Sequence, residues 1–415
     1  MANITKRKNK NGDISYLIRV FLSENKSGKQ TVKSATFRPD KNMSEKKIEK
    51  ELNKFAIEFE NSVKKGIATV ADGRETFEDY SKTWIEAKKS TLAPSTYKRN
   101  QAYLERINQA IGHLKLNQIK PQHLSDFYNN LRESGINKNT GSGLSDKTIC
   151  DHHQVINAIL KSAVMQDLIP FNPVDKMINK PQRKAKEAKY LQDEDIAKLM
   201  QVINSLDIKR KTIFSILINT GMRRGELCGL QWEDIDFENN TITINKSTQY
   251  LSEMGIFEKD PKTSTSNRTI KILPELSNIL RQYKIWQSEE ILKKGDIWLH
   301  TIDVKKADGT IERRKNTRLF TTWNGNLIHP DTITDYCSKL CKEYNLPKFS
   351  PHILRHTNVS LLINAGIPIT NISKRAGHSN INTTLKVYSH AFESAEAKAT
   401  EALGKELYNN YANAI

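Results

Sequence analysis

Cysteine is scarce, with four in 415 residues, at Cys150, Cys228, Cys337 and Cys341. These are too few and too scattered for a disulfide framework, which excludes the small stapled secreted scaffolds and fits a reducing compartment. Cys337 and Cys341 stand one helical turn apart, but no second ligand pair lies near them in sequence, so a buried helix face is expected there and a zinc site is not. Long hydrophobic runs are missing too. Nothing approaches the ~18 consecutive apolar residues of a membrane span. The opening MANITKRKNKNG has no apolar stretch behind its basic residues, unlike a secretory signal. A cytoplasmic protein with no membrane partner is therefore expected. Acidic residues are in deficit: 47 Asp and Glu against 65 Lys and Arg leave a formal charge of +18. That excess favours a polyanionic partner, nucleic acid first. A Lys-rich solvated surface is the bland alternative.

What is present divides the chain. In residues 1–68, ISYLIRVFL alternates with Ile14, Tyr16, Ile18 and Val20 on one face, and TVKSATF reads as a second strand. Ile48, Leu52, Phe55, Phe59 and Val63 then recur at helical spacing. Lys6, Arg7, Lys8, Lys10 and Arg19 make this small sheet-plus-helix unit basic, which suits groove binding by a sheet face. Residues 74–180 read as all-helical, with start signals at Pro94-Ser95 and Ser145. His152 and His153 face different sides of the last of these helices and are read as DNA-facing or incidental, not as metal ligands. Residues 181–190 form a basic linker, and Lys180, Arg183 and Lys184 would suit a path along phosphates. From Leu191 the pattern is helical except for a sheet region between Asn239 and Leu273. The tail, 391–415, carries Leu403, Leu407 and Tyr411 at helical spacing. The expected class is α+β and multidomain: a small sheet with a helix, an all-α domain, and a mainly α domain with a small antiparallel sheet.

Three stretches could carry chemistry. SPHILRHTNVSLL sets Ser350 and Pro351 as a helix start. At about 100° per residue, Leu354, Leu361 and Ala365 share one stripe, with His352, Arg355 and His356 opposite. A helix N-terminus carrying an arginine and two imidazoles is a good anion site. A metal there would need a third ligand, and HILRH lacks the glutamate of the zinc-protease helix motif. In INTGMRRGELCGLQWEDID an apolar helix ends at Thr220-Gly221, and Arg223, Arg224 and Glu226 follow. RAGHSNINTTLKVYSH places His378, Tyr388 and His390 near the end.

Together these stretches resemble the boxes of the tyrosine recombinase (phage integrase) family: TGxRxxE, then HxLRH, then GHxxxxTTxxxYxH, in that order. The resemblance covers Leu191 to His390 by motif and the earlier segments by organisation. It implies that Arg223 and Arg355 bind the scissile phosphate, each guanidinium gripping two oxygens and holding the charge of a pentacoordinate transition state. It implies that Tyr388 is the nucleophile, giving a 3′-phosphotyrosyl bond and a free 5′-hydroxyl. His352 becomes a phosphate partner and candidate proton acceptor, and His378 a donor to a non-bridging oxygen. Glu226 orients Arg223 or a histidine, and His356 and His390 are supporting. Arg224 contacts solvent or DNA backbone. The proton for the leaving oxygen comes from a hairpin-turn lysine: Lys262 in DPKTSTSNRTI, with Lys259 as the alternative. No cofactor or metal is required.

The resemblance also implies an arm-binding domain (1–68) with a three-stranded sheet, its third strand near Phe37–Pro39, and a core-binding domain (74–180). A catalytic domain (191–390) follows, with a C-terminal tail (391–415) exchanged between protomers. The implied partners are double-stranded DNA at attachment sites, a homotetramer on that DNA, an excisionase and a host DNA-bending protein. The implied activity is integration and excision of a prophage or conjugative element. Type IB topoisomerases share this chemistry and are the rival enzyme reading; a DNA-binding regulator with a degraded site is the non-enzymatic one.

Overall fold

The structure is a computed structural model. It describes residues 3–8, 14–21, 32–39, 43–64, 75–183, 189–259 and 267–377, and the single positions 381, 385, 400, 403, 404 and 407. The chain divides into two compact units, Met1–Lys184 and Ala185–Ile415. Lys10, Lys184, Lys262, His378, Tyr388 and His390 lie outside the described residues.

The first unit opens with an antiparallel sheet of β1 (Asn3–Lys8), β2 (Ile14–Phe21) and β3 (Val32–Phe37), followed by α1 (Glu45–Lys64). The third strand is therefore β1, not a segment near Phe37–Pro39. NITKRK has one apolar residue, so as an exposed edge strand it gives no hydrophobic alternation to read. Ile18, fully buried, packs with Leu52 and Ala56 of α1, and Tyr16, Phe37, Phe55 and Phe59 close around them. Arg7 and Arg19, both exposed, occupy strand positions alternate to Ile18, and Lys6 is exposed opposite Tyr16. Among the described residues, no helix is long and apolar enough to cross a membrane.

The remainder of this unit is helical: α2 (Phe77–Ala87), α3 (Pro94–Ile111), α4 (Pro121–Asn130) and α5 (Asp146–Met165). Thr76 and Ser145 cap α2 and α5 through their hydroxyls, and Pro94 and Pro121 fill first-turn positions. Phe77, Ile107, Leu124, Ile149, Ile156 and Ile159 form the core. His152 belongs to it. Its ring is fully buried, 4.5 Å from that of Tyr103, and its Nδ1 donates to Thr148 O at 2.8 Å. A DNA-facing role for His152 is thereby excluded: it sits on the apolar stripe with Ile149 and Ile156. His153 faces the other way, against the Tyr128 hydroxyl at 3.0 Å. Lys180 is exposed, whereas Arg183 turns back onto α5 and pairs with Asp151.

The second unit is built on α7 (Ile208–Thr220), which is buried almost all round and packs against α6 (Asp193–Ser205), α9 (Pro274–Lys294) and α11 (Pro351–Asn364). After α7 come α8 (Arg224–Gly229) and the strands β4 (Ile235–Asp236), β5 (Thr241–Ile244), β6 (Ser247–Leu251), β7 (Gly255–Lys259) and β8 (Arg268–Lys271). Beyond α9 lie β9 (Thr301–Lys306), β10 (Ile311–Lys315), α10 (Pro330–Glu343) and α12 (Ile369–Ala376). The strands make two sheets, β4-β5-β8 and β10-β9-β7-β6. The β9–β10 hairpin extends the sheet region beyond Leu273. Only Ile302 and Val304 of this basic segment are buried, so its alternation is too short to stand out. Buried Arg318 ties β7 to the end of α8, donating to Glu258 and to Gly229 O.

The α7 helix stops at Gly221, whose φ of 62° is left-handed. A Cβ there would stand 2.8 Å from Asn358 Oδ1. Asn358 of α11 in turn donates to Ile218 O at 2.8 Å and Asn219 O at 3.1 Å, capping the end of α7. Gly221→Ala is therefore expected to destabilise the protein by about 1–3 kcal/mol. Urea denaturation measures this, and an unchanged midpoint would show that the turn tolerates a side chain.

Candidate active site

Arg223 immediately follows the Gly221 turn and carries its side chain, 46% exposed, into a cleft. Its Nη1 donates to Glu226 Oε1 at 2.8 Å, and its Nη2 to Gly377 O at 3.1 Å. The other oxygen of Glu226 accepts from the Arg223 backbone N–H at 2.9 Å, which caps α8. Arg355 enters from α11. It is only 2% exposed, donating from Nη1 to Gly221 O at 2.8 Å and from Nη2 to Ala376 O. The stripe expected for α11 is accordingly corrected. Leu361 and Ala365 face outward, while Arg355, Thr357, Asn358 and Ser360 are buried with Leu354. The helix packs against α7, α10 and α12, so most of its circumference is internal and its arginine is held by backbone carbonyls.

Ser350 caps α11, accepting from Ile353 N at 3.3 Å. The N-terminal turn of this helix, with Arg223, Arg224, Thr334, His352 and Arg355, lines a cleft of about 420 Å³. The helix dipole and the guanidinium groups make that cleft a receptor for anions. Arg224 stands at its edge, paired with Asp331 and donating to Thr334 Oγ1 at 2.9 Å. Of the residues expected at the site, the structure brings Arg223, His352 and Arg355 to one cleft, with Glu226 behind Arg223 and His356 beside His352. Lys259 ends β7, partly exposed. Among the described residues, no three His, Cys, Asp or Glu side chains stand where they could hold a metal ion.

Sequence reasoning missed Arg268. The first residue of β8, it is 7% exposed and holds Glu226 with both Nη atoms, at 2.7 and 3.2 Å. Its signal was an arginine at an inward position of the RTIK alternation. Burial alone would raise the Glu226 pKa, but Arg268 and Arg223 outweigh it and bring the carboxyl down to about 2. Glu226 thus stays ionised.

The His352 and His356 rings meet edge to face, 4.3 Å between centroids. Burial, then the neighbouring His352 and Arg355, lower the His356 pKa to about 4; burial, Arg355 and Arg223 lower that of His352. Both imidazoles are neutral at pH 7, able to donate one hydrogen bond and accept another. Because unfolding restores ordinary pKa values near 6.5, the unfolded chain binds more protons in acid. Stability from this pair is complete above about pH 6.5 and falls as pH drops toward 4. An NMR titration is expected to find His356 neutral down to about pH 4; a midpoint near the free-imidazole value would contradict the packing described.

The family model described as "Phage integrase family" matches residues 189–395. That described as "Phage integrase, N-terminal SAM-like domain" matches residues 76–132. A XerC-like tyrosine recombinase of Caldanaerobacter subterraneus is 27% identical over 410 residues, covering 95% of this chain and 97% of the relative. The ICEBs1 integrase of Bacillus subtilis is 27% identical over 311 residues, 74% of this chain and 77% of that one. Among solved structures, the Tn1549 transposon integrase in complex with a circular intermediate DNA matches with a TM-score of 0.64 at 25% identity, covering 79% of this chain and 99% of that one. The chain belongs to the phage integrase family of tyrosine recombinases.

Proposed function

We propose that the protein is the integrase of a mobile element, a site-specific recombinase that cuts and rejoins DNA through a 3′-phosphotyrosine to integrate and excise that element. The observation that carries this reading is the cleft in which Arg223 and Arg355 meet at the N-terminus of α11 beside His352. It suits a phosphodiester better than a neutral or cationic substrate. The curated relative from Bacillus subtilis and the Tn1549 neighbour are integrases of mobile elements by name, which supports the same biological setting.

In this mechanism Arg223 and Arg355 hold the scissile phosphate and stabilise the added charge of the transition state. Each is held by backbone carbonyls, so it meets the phosphate with little conformational freedom left to lose. Tyr388 attacks phosphorus and releases the 5′-oxygen, which takes a proton from Lys262 or, alternatively, Lys259. His352, neutral at pH 7, accepts the phenol proton or donates to a phosphate oxygen, and His378 donates to a non-bridging oxygen. His356 and His390 support these groups, and Glu226 orients Arg223. The phosphotyrosyl bond conserves the energy of the phosphodiester, so the 5′-hydroxyl of another strand can reverse the step without ATP.

Exchanging two duplexes requires four cuts, hence four protomers, with the tail 391–415 reaching between neighbours. Residues 1–68 would bind arm-type sites through Lys6, Arg7, Lys8, Lys10 and Arg19. Residues 74–180 and 191–390 would clasp the core site, with Lys180, Arg183 and Lys184 of the linker near phosphates. To serve there, Arg183 must exchange Asp151 for DNA. An excisionase and a host bending protein would set direction, and the cytoplasm is the compartment where this substrate lies.

Incubating the protein in EDTA with nicked duplexes made from DNA flanking the gene is expected to give a protease-sensitive covalent band on a denaturing gel. Tyr388→Phe is expected to give none. A band that persists in the variant would move the nucleophile elsewhere. Binding of the same DNA is expected to weaken about 10³-fold or more between 50 and 200 mM salt, as counterion release requires for six or more phosphate contacts. A flat salt dependence would contradict a clasping mode.

A further inference from the structure

Three successive carbonyls at the C-terminal end of α12 each accept from a different arginine. Arg375 O accepts from Arg268 Nε at 2.8 Å, Ala376 O from Arg355 Nη2, and Gly377 O from Arg223 Nη2 at 3.1 Å. A helix C-terminus carries unsatisfied carbonyls and the negative end of its dipole, so it is a natural receptor for cations. Two of these arginines belong to the boxes already described. Arg268 does not. Its side chain is 3% exposed and holds Glu226 from the side away from Arg223.

We propose that Arg268 is a positioning residue for strand transfer: it neutralises Glu226, so that the charge of Arg223 remains available to the scissile phosphate. This rests on reading Arg223 as a phosphate ligand. Glu226 bridges Arg223 on the cleft side and Arg268 on the buried side. With both cations the group of three carries one net positive charge, and that charge emerges at Arg223, the exposed member. Without Arg268, Glu226 and Arg223 would form a closed neutral pair, and the carboxylate would compete with phosphate for the same N–H groups. Arg268 also fills the space beneath Gly377. A Cβ there would stand 2.8 Å from Arg268 Nη1, and the backbone φ is +66°. The guanidinium thus fixes the residue that precedes His378 in the chain.

Neutralising the carboxylate independently distinguishes this role from a merely structural one. The experiment measures single-turnover formation of the covalent adduct on the nicked duplex, with melting temperatures, for the native protein and four variants. These are Arg223→Ala, Arg268→Gln, Glu226→Gln and the double variant Arg268→Gln/Glu226→Gln. Arg268→Gln is expected to slow adduct formation about 100-fold, the scale of one lost transition-state donor. The double variant is expected to recover to within about tenfold of native, because the unmasked carboxylate is gone. An Arg268→Gln rate within about twofold of native, or a double variant as slow as Arg268→Gln, overturns the inference. Should Arg268→Gln fail to fold, the double variant, with both buried charges removed, carries the test. It must then exceed Arg223→Ala by about tenfold, and equality overturns the inference. An Arg223→Ala rate equal to native would instead overturn the reading of the cleft itself.

Discussion

The site depends on the last turn of α12 accepting hydrogen bonds from guanidinium groups that arrive on three different elements: the end of α7, β8 and α11. Like charges gathered in one place repel, and burial makes that repulsion worse. Two things oppose it: the carbonyl end of the helix, and the carboxylate of Glu226, held below its ordinary titration range by Arg268 and Arg223. Two of the three connections are long in sequence, Arg223 to Gly377 spanning 154 positions and Arg268 to Arg375 spanning 107. Assembling the second unit is therefore what assembles the site.

Three guanidinium groups against one carboxylate leave two positive charges at the site, together with the α11 N-terminus and two neutral imidazoles. That is the arrangement expected of a catalyst that stabilises added negative charge, since donors fixed in advance need no reorganisation as the transition state forms. Keeping His352 and His356 neutral has a second effect. It confines the permanent positive charge at pH 7 to the arginines.

Much of this was legible in the sequence where the determinants are local. Ser350-Pro351 starts α11, Gly221 stops α7 and Pro94 starts α3, because caps and turns act within a few residues. The three boxes stood out because residues with fixed chemical roles recur at fixed spacings, and the cleft brings Arg223, His352 and Arg355 together. Arg268 was only faintly legible, by sharing a strand face with Ile270. Its partner Glu226 lies 42 positions away, and a strand-leading arginine followed by alternating residues looks like a solvated edge. The β1 strand was missed for want of apolar residues, and β9–β10 because its buried alternation is only two residues long. His152 illustrates the opposite error. Adjacent histidines on different sides of α5 read as DNA-facing or incidental, whereas His152 is buried in the core with its Nδ1 bonded to Thr148 O.

The most direct test of this arrangement is a structure of the full chain, with Tyr388→Phe, bound to an attachment-site duplex. The account predicts the scissile phosphate in the cleft, within hydrogen-bond distance of both Arg223 and Arg355, with the bonds of those arginines to Gly377 O and Ala376 O still in place. A phosphate bound elsewhere, or arginines released from the α12 turn in order to reach it, would contradict the account.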